Sequence, residues 1–281
     1  MLSPSQLAAI IALLLCPLSV LANADLVVDK LCKEIGNKLG SVSQQDCLTQ
    51  GLIDSGTQTT YKRPLAYKIY PPLKDKKPLG KVLLMGGIHG DEYSAISILF
   101  KWMGKLNQYH SGLFHWQVVP LMNPDGLLQF KRAQRQNGNG VDLNRNFPSA
   151  DWERLAHDYW VNRTKKNPRR YPGTNAMSEI ETRWFVDMIE SFQPDAIIAV
   201  HAPHRLVDYD GPRNAPPRLG ALRLRQLGTY PGSLGNYAGV DLKLPIVTIE
   251  LPSAGIMPSN KEVSRMWVDL VRWLAKELPK K

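Results

Sequence analysis

The chain has 281 residues, 43% hydrophobic and 21% charged, a globular composition that excludes wholesale disorder and leaves room for one large α/β domain or two small ones. Its formal net charge of +10 favours anionic partners. No RNP, helix-turn-helix or zinc-finger pattern accompanies that charge, which argues against nucleic acid as the partner.

At the N-terminus, Leu7 to Leu21 is almost wholly apolar and Ala22-Asn23-Ala24 follows. This predicts a secretory leader over 1–24, cleaved before Asp25, with no stable membrane insertion afterwards. A retained anchor is the competing reading, for which the run is short. Cys32 and Cys47 are then an even pair in an exported chain, which predicts a disulfide. Residues 25–60 read as a short accessory segment with a small amphipathic helix on Leu26, Val27, Leu31 and Ile35; the main domain spans 61–281.

Tyr61 to Tyr70 predicts a first strand, ended by Pro71-Pro72. Val82 to Gly87 is an apolar strand that opens, through Ile88-His89-Gly90-Asp91-Glu92, into a helix over 92–107. A strand over 115–121 ends in the turn Asn123-Pro124-Asp125-Gly126. A polar loop over 129–140 carries Arg132 and Arg135, and Val141 to Pro148 closes it. Residues 151–176 read as a basic, irregular surface insertion with a glycosylation sequon at Asn162. Ser178 and Glu181 predict a capping box for a helix ended by Pro194. Ala196 to Val200 is a continuous apolar strand with His201 at its end. A helix over 217–228, a glycine-rich loop over 230–239, a strand over 245–251 ending near Glu250, and a helix over 259–277 complete the chain. Strands alternating with helices, several strands apolar throughout, predict an α/β sheet covered on both faces.

The chemistry-bearing residues share one kind of position. His89 and Glu92 follow a strand, His201 and Glu250 end strands, and Asn144 and Arg145 lie in a loop beyond one. In open α/β sheets, ligands bind outside the carboxyl ends of the strands. His89, Glu92 and His201 make a His₂Glu set, the ligand set of zinc hydrolases, which leaves a fourth position to water. Glu250 is the candidate base for that water. Arg135 or Arg132 is the candidate partner of the oxyanion, and Arg145 with Asn144 can hold a substrate carboxylate by paired hydrogen bonds.

His89-Gly90-Asp91-Glu92, Asn123-Pro124-Asp125-Gly126, Gly140 to Phe147, His201 and Thr248-Ile249-Glu250-Leu251 together resemble the zinc metallocarboxypeptidases of the carboxypeptidase A type, over about 61–277. The resemblance implies a mixed, mostly parallel twisted sheet flanked by helices and a single catalytic domain. It implies one zinc on His89, Glu92 and His201, Glu250 as base, and Asn144 and Arg145 as the anchor for a C-terminal carboxylate. It favours Arg135 over Arg132 for the oxyanion, and it sets Tyr230 where the family has a mobile substrate-binding tyrosine. Tyr171-Pro172-Gly173 and Tyr230 to Tyr237 further resemble the bacterial murein peptide amidases, which cut the bond between γ-D-glutamate and meso-diaminopimelate in wall peptides. That implies peptidoglycan peptides as partners and a periplasmic or secreted location. A zinc carboxypeptidase acting on ordinary peptides is the alternative.

Overall fold

The computed structural model describes residues 26–278. The expected leader lies outside them. A helix over 26–38, α1, precedes α2 (Gln44–Leu48), and Cys32 and Cys47 are joined by a disulfide. Seven strands form the sheet: β1 (Ile53–Gln58), β2 (Pro64–Tyr70), β3 (Lys81–Gly86), β4 (His115–Val119), β5 (Ala196–His201), β6 (Leu206–Asp210) and β9 (Ile246–Glu250). A separate hairpin is made by β7 (Arg218–Leu219) and β8 (Leu222–Arg223). The sheet order is β1-β2-β4-β3-β5-β9-β6. Its middle, β4-β3-β5-β9, is parallel; β1, β2 and β6 add antiparallel edges.

The apolar runs sit where both faces are covered. Val82, Leu83, Leu84 and Met85 of β3 are fully buried and alternate between two cores. Burying each such side chain contributes about 1.5–3 kcal/mol. One face holds Val82, Leu84, Ile198, Val200 and Val247 under α3 (Tyr93–Tyr109) and α7 (Asn260–Glu277). Trp102 of α3 ties these two helices together by donating from Nε1 to the Val263 carbonyl at 3.1 Å. The other face holds Leu83, Met85, Ile197 and Ala199 under α6 (Ile180–Phe192) and helical turns over Gly235–Asp241.

The N-terminal helices build a third core on the outer side of α3, with Leu31, Ile35 and Cys47 against Ile96 and Phe100. The disulfide closes a separation of 15 residues across this core, a loop worth roughly 3 kcal/mol of chain entropy. Replacing Cys32 and Cys47 together with serine should lower stability by about that amount, read from the denaturation midpoint. An unchanged midpoint would contradict it.

Several local expectations change. The stretch 217–228 is not a helix. Leu219 and Leu222 face one core from adjacent strands of the β7–β8 hairpin, and this spacing imitates one helical turn. Strand β6 falls between His201 and the expected 217–228 helix, where no strand is predicted, and β1 falls in the N-terminal segment; both gain their conformation from a neighbouring strand. The insertion at 151–176 contains α5 (Trp152–Asp158), whose first residue is buried. The glycine-rich stretch gives way to helical turns at Gly235, because Tyr237 stacks on Phe147 with ring centroids 6.1 Å apart. The capping box at Ser178 does not form. Asn146 accepts the Glu179 N–H at 3.1 Å, which makes Glu179 the N-cap of α6 and turns Glu181 inward. Pro124–Leu128, read as a turn, is a one-turn helix, α4, capped by the Asn123 side chain.

Candidate active site

The sheet order sets the site. From β3 the chain goes to β4 on one side and later to β5 on the other, so a crevice opens beyond the carboxyl ends of β3 and β5. His89 and Glu92 lie on the turn from β3 into α3, and His201 ends β5. The β5–β9 register pairs His201 directly with Glu250. A one-residue slip of β9 would turn Glu250 to the opposite face. The turn at Gly90 packs so tightly on α4 that a Cβ there would lie 2.1 Å from the Gly126 carbonyl carbon.

His89, Glu92 and His201 converge. One ligand atom from each lies within 4.8 Å of the other two. His89 Nδ1 is 2.8 Å from Glu92 Oε1, His201 Nδ1 is 3.2 Å from Glu92 Oε2, and the two imidazole nitrogens are 3.3 Å apart. All three residues are buried. Burial pushes the Glu92 carboxyl up, but the His89 and His201 imidazoles outweigh it and hold the group below the usual carboxylate range. Two imidazoles and a carboxylate meeting at strand ends, with one face to a cavity, suit a divalent metal with an open position.

Asp142 organises the second layer, and the sequence reading gave it no role. It is fully buried, faces His89 Nε2 at 3.2 Å and accepts from Arg135 Nε at 2.8 Å. It also accepts from the Asn144 N–H at 3.2 Å. A carboxylate on the far ring nitrogen fixes the tautomer and orientation of a ligating histidine. Burial raises the Asp142 pKa, but Arg135 and His89 overcome this and hold it well below the ordinary value. Its position two residues before Asn144 in Asp142-Leu143-Asn144-Arg145 was the available signal.

The Asp142 contact also separates the two arginines. Arg135 is buried, with Nη1 3.2 Å from His89 Nδ1. Arg132 stays exposed on the same loop. Arg145 is buried over the Tyr230 ring, its guanidinium carbon 4.5 Å from the ring centroid. Its Nε is buried with no hydrogen-bond partner among the described residues. Burial lowers its pKa to about 10, with Asp142 opposing, so it stays charged at neutral pH. Asn144 Oδ1 accepts the Leu234 N–H at 2.9 Å, and the Arg145 carbonyl accepts from Trp152 Nε1 at 2.8 Å. At Gly232 a Cβ would lie 2.0 Å from the Arg145 carbonyl oxygen, so only glycine lets the Tyr230 loop close on this strand of chain. Glu250 is buried and accepts from the His204 N–H at 3.3 Å. His89, Glu92, His201, Arg135, Asn144, Arg145, Tyr230 and Glu250 line one cavity of about 510 Å³.

A family model described as zinc carboxypeptidase matches residues 53–224. The chain belongs to the zinc carboxypeptidase family. It is therefore a hydrolase of the metallopeptidase class, and the matched stretch contains His89, Glu92, Arg135, Arg145 and His201. This carboxypeptidase-family chain is 31% identical over 206 residues to murein peptide amidase A of Escherichia coli strain K12, covering 69% of this chain and 81% of that protein. The crystal structure of the murein-tripeptide amidase of Escherichia coli O157 superposes with a TM-score of 0.56 at 26% identity, over 80% of this chain and 91% of that one. Carboxypeptidase A of Helicoverpa armigera shares the fold, with a TM-score of 0.63 at 19% identity over 80% of this chain and 68% of its own.

Proposed function

We propose that this protein is an exported zinc hydrolase that cuts the amide between γ-D-glutamate and meso-diaminopimelate in peptidoglycan peptides. The observation that carries the reading is the joint presence, in one cleft, of the His89-Glu92-His201 set and the Arg145 guanidinium with its unpartnered Nε. The likeness to murein peptide amidase A supplies the substrate class. The leader over 1–24 and the +10 charge suit a periplasmic enzyme working on an anionic wall polymer. No described helix is long and apolar enough to cross a membrane.

His89, Glu92 and His201 hold the zinc in this reading. Bound there, zinc supplies Lewis-acid polarisation of the scissile carbonyl and acidifies water. Arg145 and Asn144 bind the terminal carboxylate of the substrate and set its register in the cleft. Tyr230 covers the Arg145 guanidinium and shields that ion pair from water. Glu250 Oε takes a proton from the attacking water and passes it to the departing nitrogen; the second water proton then leaves the new carboxylic acid for the freed amine, so the amide is replaced by a carboxylate and an ammonium. Arg135 donates to the oxygen of the former carbonyl as negative charge develops on it. Asp142 holds Arg135 and His89 in place for this.

Two measurements test the reading. L-Ala-γ-D-Glu-meso-diaminopimelate and hippuryl dipeptides are each incubated with the enzyme, with and without chelator. Release of free diaminopimelate that chelator abolishes is expected; turnover of the hippuryl substrates alone would overturn the substrate. Arg145→Ala should raise KM for peptides with a free terminal carboxylate by about ten- to a hundredfold, and leave a terminally amidated peptide unchanged. Equal losses on both would remove the anchoring role.

A further inference from the structure

The cleft contains more positive charge than one terminal carboxylate needs. Arg135, Arg145 and Arg170 all line it and crowd around one buried acid, Asp142. The oxygens of Asp142 are already engaged by Arg135 Nε at 2.8 Å, His89 Nε2 at 3.2 Å and the Asn144 N–H at 3.2 Å. Arg170 Nη1 reaches Asp142 Oδ2 only at 3.8 Å. Among the described residues its guanidinium donates no hydrogen bond. Its neighbour differs: Arg169 Nη2 donates to Asp91 Oδ2 at 2.8 Å and is neutralised there. The backbone that carries Arg170 is nonetheless held in place. The Arg170 N–H closes a turn onto the Asn167 carbonyl, on a segment capped by the Asn167 side chain. A guanidinium on a fixed turn, with donors that no described group takes up and two like charges in the same cleft, is a site made for an anion.

The geometry points to Arg170 as a specificity-determining residue that binds a second substrate carboxylate, distinct from the terminal one held by Arg145. This rests on the proposed murein substrate, which carries two such groups. One is the α-carboxylate of the γ-linked glutamate, left free because the chain continues through the side chain. The other is the distal carboxylate of diaminopimelate. An ordinary peptide bond between apolar residues offers neither, so Arg170 separates wall peptides from protein termini.

Wild-type enzyme, Arg170→Gln and Arg170→Lys are compared on three tripeptides. The first is L-Ala-γ-D-Glu-meso-diaminopimelate. The second has D-isoglutamine, whose α-carboxylate is an amide. The third has L-lysine in place of diaminopimelate and lacks the distal carboxylate. Wild type should prefer the first over one analogue by about ten- to a hundredfold in kcat/KM, and the disfavoured analogue identifies the bound group. Arg170→Gln should fall to the level of that analogue on the parent peptide and lose the preference, while Arg170→Lys recovers part of it. Thermal melts establish that both variants are folded. No preference in wild type, or an equal loss on all three peptides in Arg170→Gln, would overturn the inference. If wild type cleaves none of the three and only hippuryl dipeptides, the murein reading fails by itself. Arg170 is then judged on benzoyl-Glu-Phe against benzoyl-Gln-Phe. A preference for Glu that Arg170→Gln abolishes sustains carboxylate binding, and equal rates overturn it.

Discussion

Glu250→Gln is expected to lower kcat by about 10²- to 10⁴-fold while the bound metal stays at one per chain. Glutamine keeps the shape of the side chain and still accepts from the His204 N–H, so the end of β9 remains in register with His201. What it loses is the ability to take a proton. Glu250 lies outside the trio whose donor atoms converge, so metal content and activity should separate. KM should change little, because Arg145 and Asn144 hold the substrate. Metal analysis beside steady-state kinetics checks both halves. Loss of metal in Glu250→Gln would make Glu250 a structural or ligating group instead of the base.

The second large effect is expected at Asp142, which touches no substrate in this scheme. Asp142→Asn should weaken metal affinity by about 10- to 100-fold, because the far nitrogen of His89 loses its anionic partner. It should also lower kcat at saturating metal by about a further 10²-fold, because Arg135 Nε loses the charged partner that holds it. The substitution leaves Arg135 and Arg145 buried without the acid that compensates them, a loss of about 3–5 kcal/mol where a buried pair is broken. A metal titration followed by kinetics at each occupancy distinguishes the two effects. Full activity restored by excess metal would show that Asp142 serves His89 alone. Unchanged metal affinity would remove its role behind the ligand.

The site was legible in the sequence to the extent that its residues sit at strand ends. His201 follows a continuous apolar run and Glu250 ends another, so both positions follow from one pattern once the strands are parallel neighbours. The meeting of His89 with Glu92 is local, three residues apart on one turn. Asp142 and Arg170 were not legible in this way. Each derives its meaning from side chains far along the chain, His89 for one and the Arg135–Arg145 pair for the other. The choice between Arg135 and Arg132 is of the same kind: both lie in one polar loop, and only the Asp142 carboxylate draws one of them inward.

The fold divides along similar lines. Helices α3, α6 and α7 carry strong periodicity because each buries one face, and the parallel strands β3 and β5 read as continuous apolar runs because both their faces are buried. Strands β1 and β6 are edges, and the β7–β8 hairpin is two residues per strand, too short for a period to show. The start of α6 was missed because a tertiary contact, Asn146 to the Glu179 N–H, displaces the local cap.

The most direct test is a crystal structure of the zinc-loaded enzyme with diffraction recorded on both sides of the zinc absorption edge. A single anomalous peak within bonding distance of His89, Glu92 and His201 is the expected result, with Glu250 beside it and unbonded. A peak elsewhere in the chain, or none at these three residues after zinc loading, would contradict the assignment of this cleft as the catalytic metal centre.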